Sequence, residues 1–321
     1  MCEFSAESLG RVVVAGAGVS GAGCARLLAR VGADVRVADD NETARFRVQE
    51  ATGVEAWSTA QLRESLDSVD LVVTSPGWRP DSAVLVAAAE AGVEVIGDVE
   101  LAWRLDSAGA CGAPRTWLAI TGTNGKTTTT AMAAAMLSEG GFKAEAVGNI
   151  GVSVGDALLA EPRIDVIVAE LSSFQLHTAR TVSPLASICL NVDADHLDWH
   201  GSVEAYVADK ARVYENTIRA CVYPASDRRV EQMVENADVV EGARAIGLTL
   251  GSPSVSQFGI VEGLLVDRAF VEDRARHAAA LAHISDLAGA YGPHPSAAVV
   301  SDALAAAALA RAYGVEPEAV E

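Results

Sequence analysis

The densest chemistry in the chain lies at residues 121–130, TGTNGKTTTT, at the end of the apolar run TWLAIT (116–121). Gly122 and Gly125 let successive backbone N–H groups turn toward one point, and a helix opening at Lys126 adds the positive end of its dipole. In such a loop Lys126 reaches β- and γ-phosphate oxygens and Thr127 offers a hydroxyl to Mg²⁺, while Thr123, Asn124 and Thr128 complete the turn. A strict phosphate loop opens on glycine where this chain has Ile120. An ordinary glycine turn would need neither the lysine nor the threonine run, so GKT after a buried strand predicts a nucleoside triphosphate site.

A second glycine motif, GAGVSG (16–21), follows the apolar run RVVVA and fits GxGxxG, with Asp39 closing the next apolar run. Its geometry specifies a diphosphate against a helix N-terminus without saying which nucleotide carries it. A nicotinamide-dependent oxidoreductase and a site for another nucleotide both fit, and so does close helix–strand packing alone.

These motifs need rigid supports, and the patterning supplies them. Apolar strand patterns at 11–18, 34–40, 69–75 and 93–97 alternate with helix patterns at 20–30 and 81–92. Strand–helix repeats with short connections predict a parallel, doubly wound sheet. SAGACGAPR (107–115) is small and polar, predicting a linker between a Rossmann-like domain at 1–106 and a P-loop-type α/β ATPase domain at 116–314. Strands at 164–171 and 185–192, a helix at 202–216 capped by Ser202, a hairpin at 258–270 turning at Glu262-Gly263 and a helix at 296–314 furnish the second domain. Residues 315–321 read as the start of a further connection.

A net charge of −19 argues against nucleic-acid and anionic-membrane partners, so anionic ligands must be captured by local devices. The five cysteines lack CxxC spacing, which predicts free thiols in a reducing compartment. The N-terminus has no apolar signal core, and the Ala-rich run at 303–310 is too short to span a membrane. GxSxG and zinc-type histidine spacing are both missing from the sequence. Glu170 ends one buried run and His196 follows another, which places both beside the phosphate loop if the sheet is parallel. By position alone Lys210 is a solvated helix lysine.

TGTNGKTTTT resembles the ATP loop shared by the Mur ligases and the folylpolyglutamate synthases. ELSSFQL (170–176), NVDADHLDWH (191–200), AYVADKARVY (205–214), GNIG (148–151), GDVEL (97–101) and SPG (75–77) narrow the resemblance to the Mur ligases, nearest their D-glutamate-adding branch. The resemblance covers nearly the whole chain and is weakest between about 228 and 295. It implies that ATP converts a substrate carboxylate to an acyl phosphate, which the D-glutamate amine attacks to give an amide, ADP and phosphate. It implies catalytic roles for Lys126, Glu170, His196 and Lys210, with one or two Mg²⁺ held by Thr127, Glu170, His196 and, if carbamylated, Lys210. Gly18, Val19, Ser20, Asp39, Gly77, Asn149, Ser172 and Gln175 would face UDP-N-acetylmuramoyl-L-alanine in a cytoplasmic monomer.

Two features depart from the family pattern. Where relatives open the last helix of the central domain with a His-Asn pair, this chain reads YGPHPSAAVVSDAL (291–304), with Pro295 after His294. The family also has a third, C-terminal domain that brings D-glutamate, and the sequence ends at Glu321. A non-catalytic nucleotide-binding fragment is therefore a further expectation.

Overall fold

The computed structural model describes residues 8–149 and 151–320. Cys2 and the rest of the N-terminal segment, Ile150 of GNIG, and Glu321 lie outside the described residues. The chain folds into two compact units.

The first unit comprises the described residues of Met1–Arg115 together with Gly151–Ile164 and His177–Val182, so two segments that the sequence reading assigns to the second domain belong here. Its sheet contains β1 (Arg11–Ala15), β2 (Asp34–Ala38), β3 (Glu55–Trp57), β4 (Leu71–Thr74) and β5 (Glu94–Gly97), in the order 3-2-1-4-5. Every pairing is parallel. That order places a switch point at β1, whose C-terminal end leads into the glycine motif. Val12, Val13 and Val14 are fully buried because helices cover both faces.

The second unit carries nine strands: β6 (Thr116–Thr121), β7 (Ala144–Gly148), β8 (Val166–Glu170), β9 (Ala186–Cys189), β10 (Ala220–Pro224), β11 (Arg244–Leu248), β12 (Gln257–Val261), β13 (Leu264–Asp267) and β14 (Ala279–His283). Their order is 14-13-12-11-10-9-6-8-7, parallel from β7 through β12 and antiparallel beyond. The expected hairpin is β12–β13, with Glu262 and Gly263 both at positive φ (52° and 83°), the two-residue geometry that suits strand twist.

The Ala-rich run lies in a 17-residue helix, Ala297–Tyr313, that fills the core of this unit. Ala303, Ala305, Ala306, Ala307, Ala308, Ala310 and Ala312 are all fully buried, and their small side chains let it approach the helix Lys126–Glu139 and the sheet closely. Among the described residues no helix is long and apolar enough to cross a membrane.

Candidate functional site

The phosphate loop leaves β6, an interior strand of the second sheet flanked by β8 and β9. Parallel pairing brings the C-terminal ends of all three strands to one edge, as expected for Glu170 on β8. Gly122 (φ 156°) and Gly125 (φ 84°) take backbone conformations that suit glycine. Gly125 N-caps the 14-residue helix from Lys126, which has no side-chain cap and no acid in its first turn, so its amides and dipole remain open to an anion.

Asn191 holds this loop in shape. Its Oδ1 accepts from the backbone amides of Thr123 (3.0 Å) and Asn124 (2.8 Å), and its Nδ2 donates to Asn124 O at 3.0 Å. Tyr206 Oη lies 3.1 Å from Thr123 Oγ1. Both clamps belong to motifs singled out in the sequence, but spacing alone does not mark them, since Asn191 acts on backbone amides and Tyr206 on a hydroxyl 83 residues away.

Lys126 Nζ folds back onto the carbonyls of Gly122 (2.9 Å) and Thr123 (3.1 Å), leaving a donor for an incoming oxygen. Glu170 is 2% exposed, and its Oε2 accepts from Thr127 Oγ1 at 3.0 Å. A carboxylate and a hydroxyl side by side are hard oxygen donors that fit Mg²⁺ beside phosphate.

Lys210 departs from the solvated position that its helix spacing suggests: it is 2% exposed. Its Nζ donates to Gly122 O at 2.8 Å and sits 4.8 Å from the centroid of the Tyr206 ring. Burial pulls its pKa from 10.5 down to about 8, so much of the amine is neutral in mildly alkaline solution.

His196 takes a left-handed conformation (φ 50°), with its side chain 48% exposed and Phe174 at 4.9 Å. It does not gather with Glu170 into a ligand cluster: among the described residues no group of three His, Cys, Asp or Glu is placed to hold a metal. His200, by contrast, has a fully buried side chain that bridges Asp209 Oδ2 and Ser173 Oγ, both at 2.9 Å. It ties the helix of Lys210 to the segment after Glu170, a link between residues 27 apart in sequence that spacing alone does not reveal.

Ser172 and Gln175 are buried and bonded to each other: Ser172 N donates to Gln175 Oε1 (3.1 Å) and Gln175 N to Ser172 Oγ (3.2 Å). They cap the helix Ser173–Thr178. Asn149 is exposed, and its backbone amide donates to Glu170 O at 3.0 Å.

Asp302, on the Ala-rich helix, lies against the loop: a Cβ built on Gly125 would be 2.4 Å from Asp302 Oδ1. Burial raises its pKa from 3.8 to about 6. The folded state therefore holds this proton more tightly, so stability falls as pH rises from about 4 to 6. Asp302→Asn is expected to stabilise the chain by about 1 kcal/mol at pH 7, discounted for partial exposure, and to change little at pH 4. Urea denaturation at the two pH values checks this; equal effects at both would remove the charge from the explanation.

In the first unit, Gly16 (φ 111°) turns the chain, and a Cβ on Gly21 would fall 1.8 Å from Gly16 O. Gly18 has open space at its Cβ position and N-caps the 13-residue helix Val19–Val31 without a side-chain cap. Val19 is 69% exposed, Ser20 is half-buried, and Gly77 is exposed. Asp39 accepts from Ala17 N (2.7 Å) and Asn41 N (2.8 Å), locking the end of β2 to the glycine turn.

A Rossmann-type sheet ending in a glycine turn, joined in one chain to an α/β unit with a phosphate loop, defines a nucleotide-dependent two-unit protein. Residues 10–97 match the MurD-like N-terminal domain of the Mur ligases and residues 120–250 match the Mur ligase middle domain, and the chain belongs to the Mur ligase family. It is 52% identical over 313 residues to UDP-N-acetylmuramoylalanine–D-glutamate ligase of Streptomyces avermitilis, covering 96% of this chain and 65% of that protein. It is 54% identical over 310 residues to the ligase of the same name from Corynebacterium efficiens, covering 96% of this chain and 62% of that one. The chain thus spans about two thirds of the length of these curated relatives. Among solved structures, UDP-N-acetylmuramate:L-alanyl-gamma-D-glutamyl-meso-diaminopimelate ligase from Neisseria meningitides shares the fold, with a TM-score of 0.58 at 17% identity over 97% of this chain and 96% of that one.

Proposed function

We propose that the chain serves ATP-dependent amide ligation, joining D-glutamate to UDP-N-acetylmuramoyl-L-alanine in the cytoplasm during peptidoglycan precursor synthesis. The observation that carries this reading is the loop at 122–128, with Lys126, Thr127 and buried Glu170 at one strand edge. The names of relatives at 47–54% identity supply the substrates.

In this reading the amides of 122–128 and Lys126 seat the triphosphate and hold its γ-phosphoryl for in-line attack by the substrate carboxylate. Thr127 and Glu170 would hold Mg²⁺, which neutralises charge on the transferring phosphoryl group. Neutral Lys210 is the form able to add CO₂, and the carbamate would reverse its charge beside the loop. His196 would join the metal shell only by turning toward Glu170. Gly18, Val19, Ser20 and the open helix N-terminus behind them would receive the UDP diphosphate, and Asp39 keeps that turn rigid. Gly77 would lie further along the substrate in the first unit, while in the second Asn149 is exposed and Ser172 and Gln175 brace the segment after Glu170.

The test is a coupled phosphate-release assay on the protein at its native length, with ATP, UDP-N-acetylmuramoyl-L-alanine and a panel of amino acids. Release that depends on D-glutamate is expected. Equal release with every amino acid, or with none added, would sink the assignment of D-glutamate.

A further inference from the structure

We propose that a cavity in the first unit, lined by Arg30, Cys111, Arg115, Glu161 and Arg163, binds a compact tetrahedral oxyanion of the phosphate class. It measures about 320 Å³ and shares no lining residue with the glycine turn at 16–21. Three separate segments build it: the end of the helix Val19–Val31, the stretch after the helix Asp98–Ser107, and the loop after the helix Val154–Leu158.

Arg115 carries the argument. Its side chain is 1% exposed, with Nη1 on Asp106 Oδ1 at 2.7 Å and Nη2 on Leu158 O at 2.8 Å. Its Nε–H is buried without an acceptor. A buried donor in that state costs stability until an acceptor reaches it, which a small movement of Arg115, itself a lining residue, would allow. Arg163, another lining residue, donates to Ala113 O. Arg30 is exposed and forms no ion pair among the described residues.

Three arginines thus line one cavity on a chain of net charge −19, against Glu161 in the lining and Asp106 paired with Arg115. A tetrahedral oxyanion offers acceptors in several directions at once, which suits donors arriving from three segments. A carboxylate offers two oxygens in one plane. The rival explanation is that these arginines only satisfy carbonyls near helix ends, with water in the cavity.

Cys111 is half-buried in the wall and serves as the reporter. Its alkylation by iodoacetamide is followed by peptide mapping in sodium phosphate and in sodium chloride of matched ionic strength. Phosphate is expected to slow alkylation of Cys111 while chloride does not. The double variant Arg30→Ala/Arg163→Ala, checked for an unchanged melting temperature, is expected to need about tenfold more phosphate for the same protection. Equal rates in phosphate and chloride would establish a water-filled cavity and overturn the proposal. Protection undiminished in the double variant would overturn it too, and succinate protecting as well as phosphate would overturn the tetrahedral class.

Discussion

Gly148→Ala is expected to destabilise the chain by about 3 kcal/mol or more and to weaken nucleotide binding with it. Gly148 ends β7 at φ 123°, where a side chain is strained. A Cβ there would stand 2.1 Å from the carbonyl oxygen of Glu170, backbone that cannot rotate away. The β7–β8 register pairs these residues directly, so any relief moves the strand end that presents the Glu170 carboxylate to Thr127. Urea denaturation and Mg-ATP titration of the variant check both halves. Wild-type stability would show that β7 has more freedom than its register implies.

Lys126→Ala is expected to weaken Mg-ATP binding by about 100-fold, the loss of charge-assisted bonds worth about 2.7 kcal/mol. Its amine rests on two loop carbonyls, so the fold does not depend on it for an ion pair. Binding of UDP-N-acetylmuramoyl-L-alanine, whose diphosphate we place at the glycine turn of the first unit, is expected to stay within about twofold. Isothermal titration with each ligand separates these outcomes. Unchanged ATP affinity would remove Lys126 from the phosphate site.

Legibility in the sequence followed the strength of local signals. Val12–Val14, next to the glycine turn, and Val166–Ala169, ending on Glu170, are unbroken apolar runs, and their strands were evident. β7 (AEAVG) and β11 (RAIGL) are as long but interrupt their apolar residues with glycine, alanine or charge, so neither an apolar run nor alternation marks them. β10 ends in proline, which argues against a central strand by itself, and only its pairing with β9 and β11 reveals it. Within the site, Lys126, Thr127 and Glu170 were legible because phosphate chemistry constrains residue type and spacing together. Asn191, His200 and Asp302 were not, since each acts through a contact across the fold. Lys210 was legible only by resemblance; its helix spacing pointed to solvent, and tertiary packing overrode it.

The most direct test of the central claim is a pair of equilibrium titrations of this chain, one with Mg-ATP and one with NADH. Saturable Mg-ATP binding that weakens about 100-fold in Lys126→Ala, with no NADH binding at micromolar concentrations, is the predicted result. NADH binding with no detectable affinity for Mg-ATP would contradict the assignment of both glycine loops.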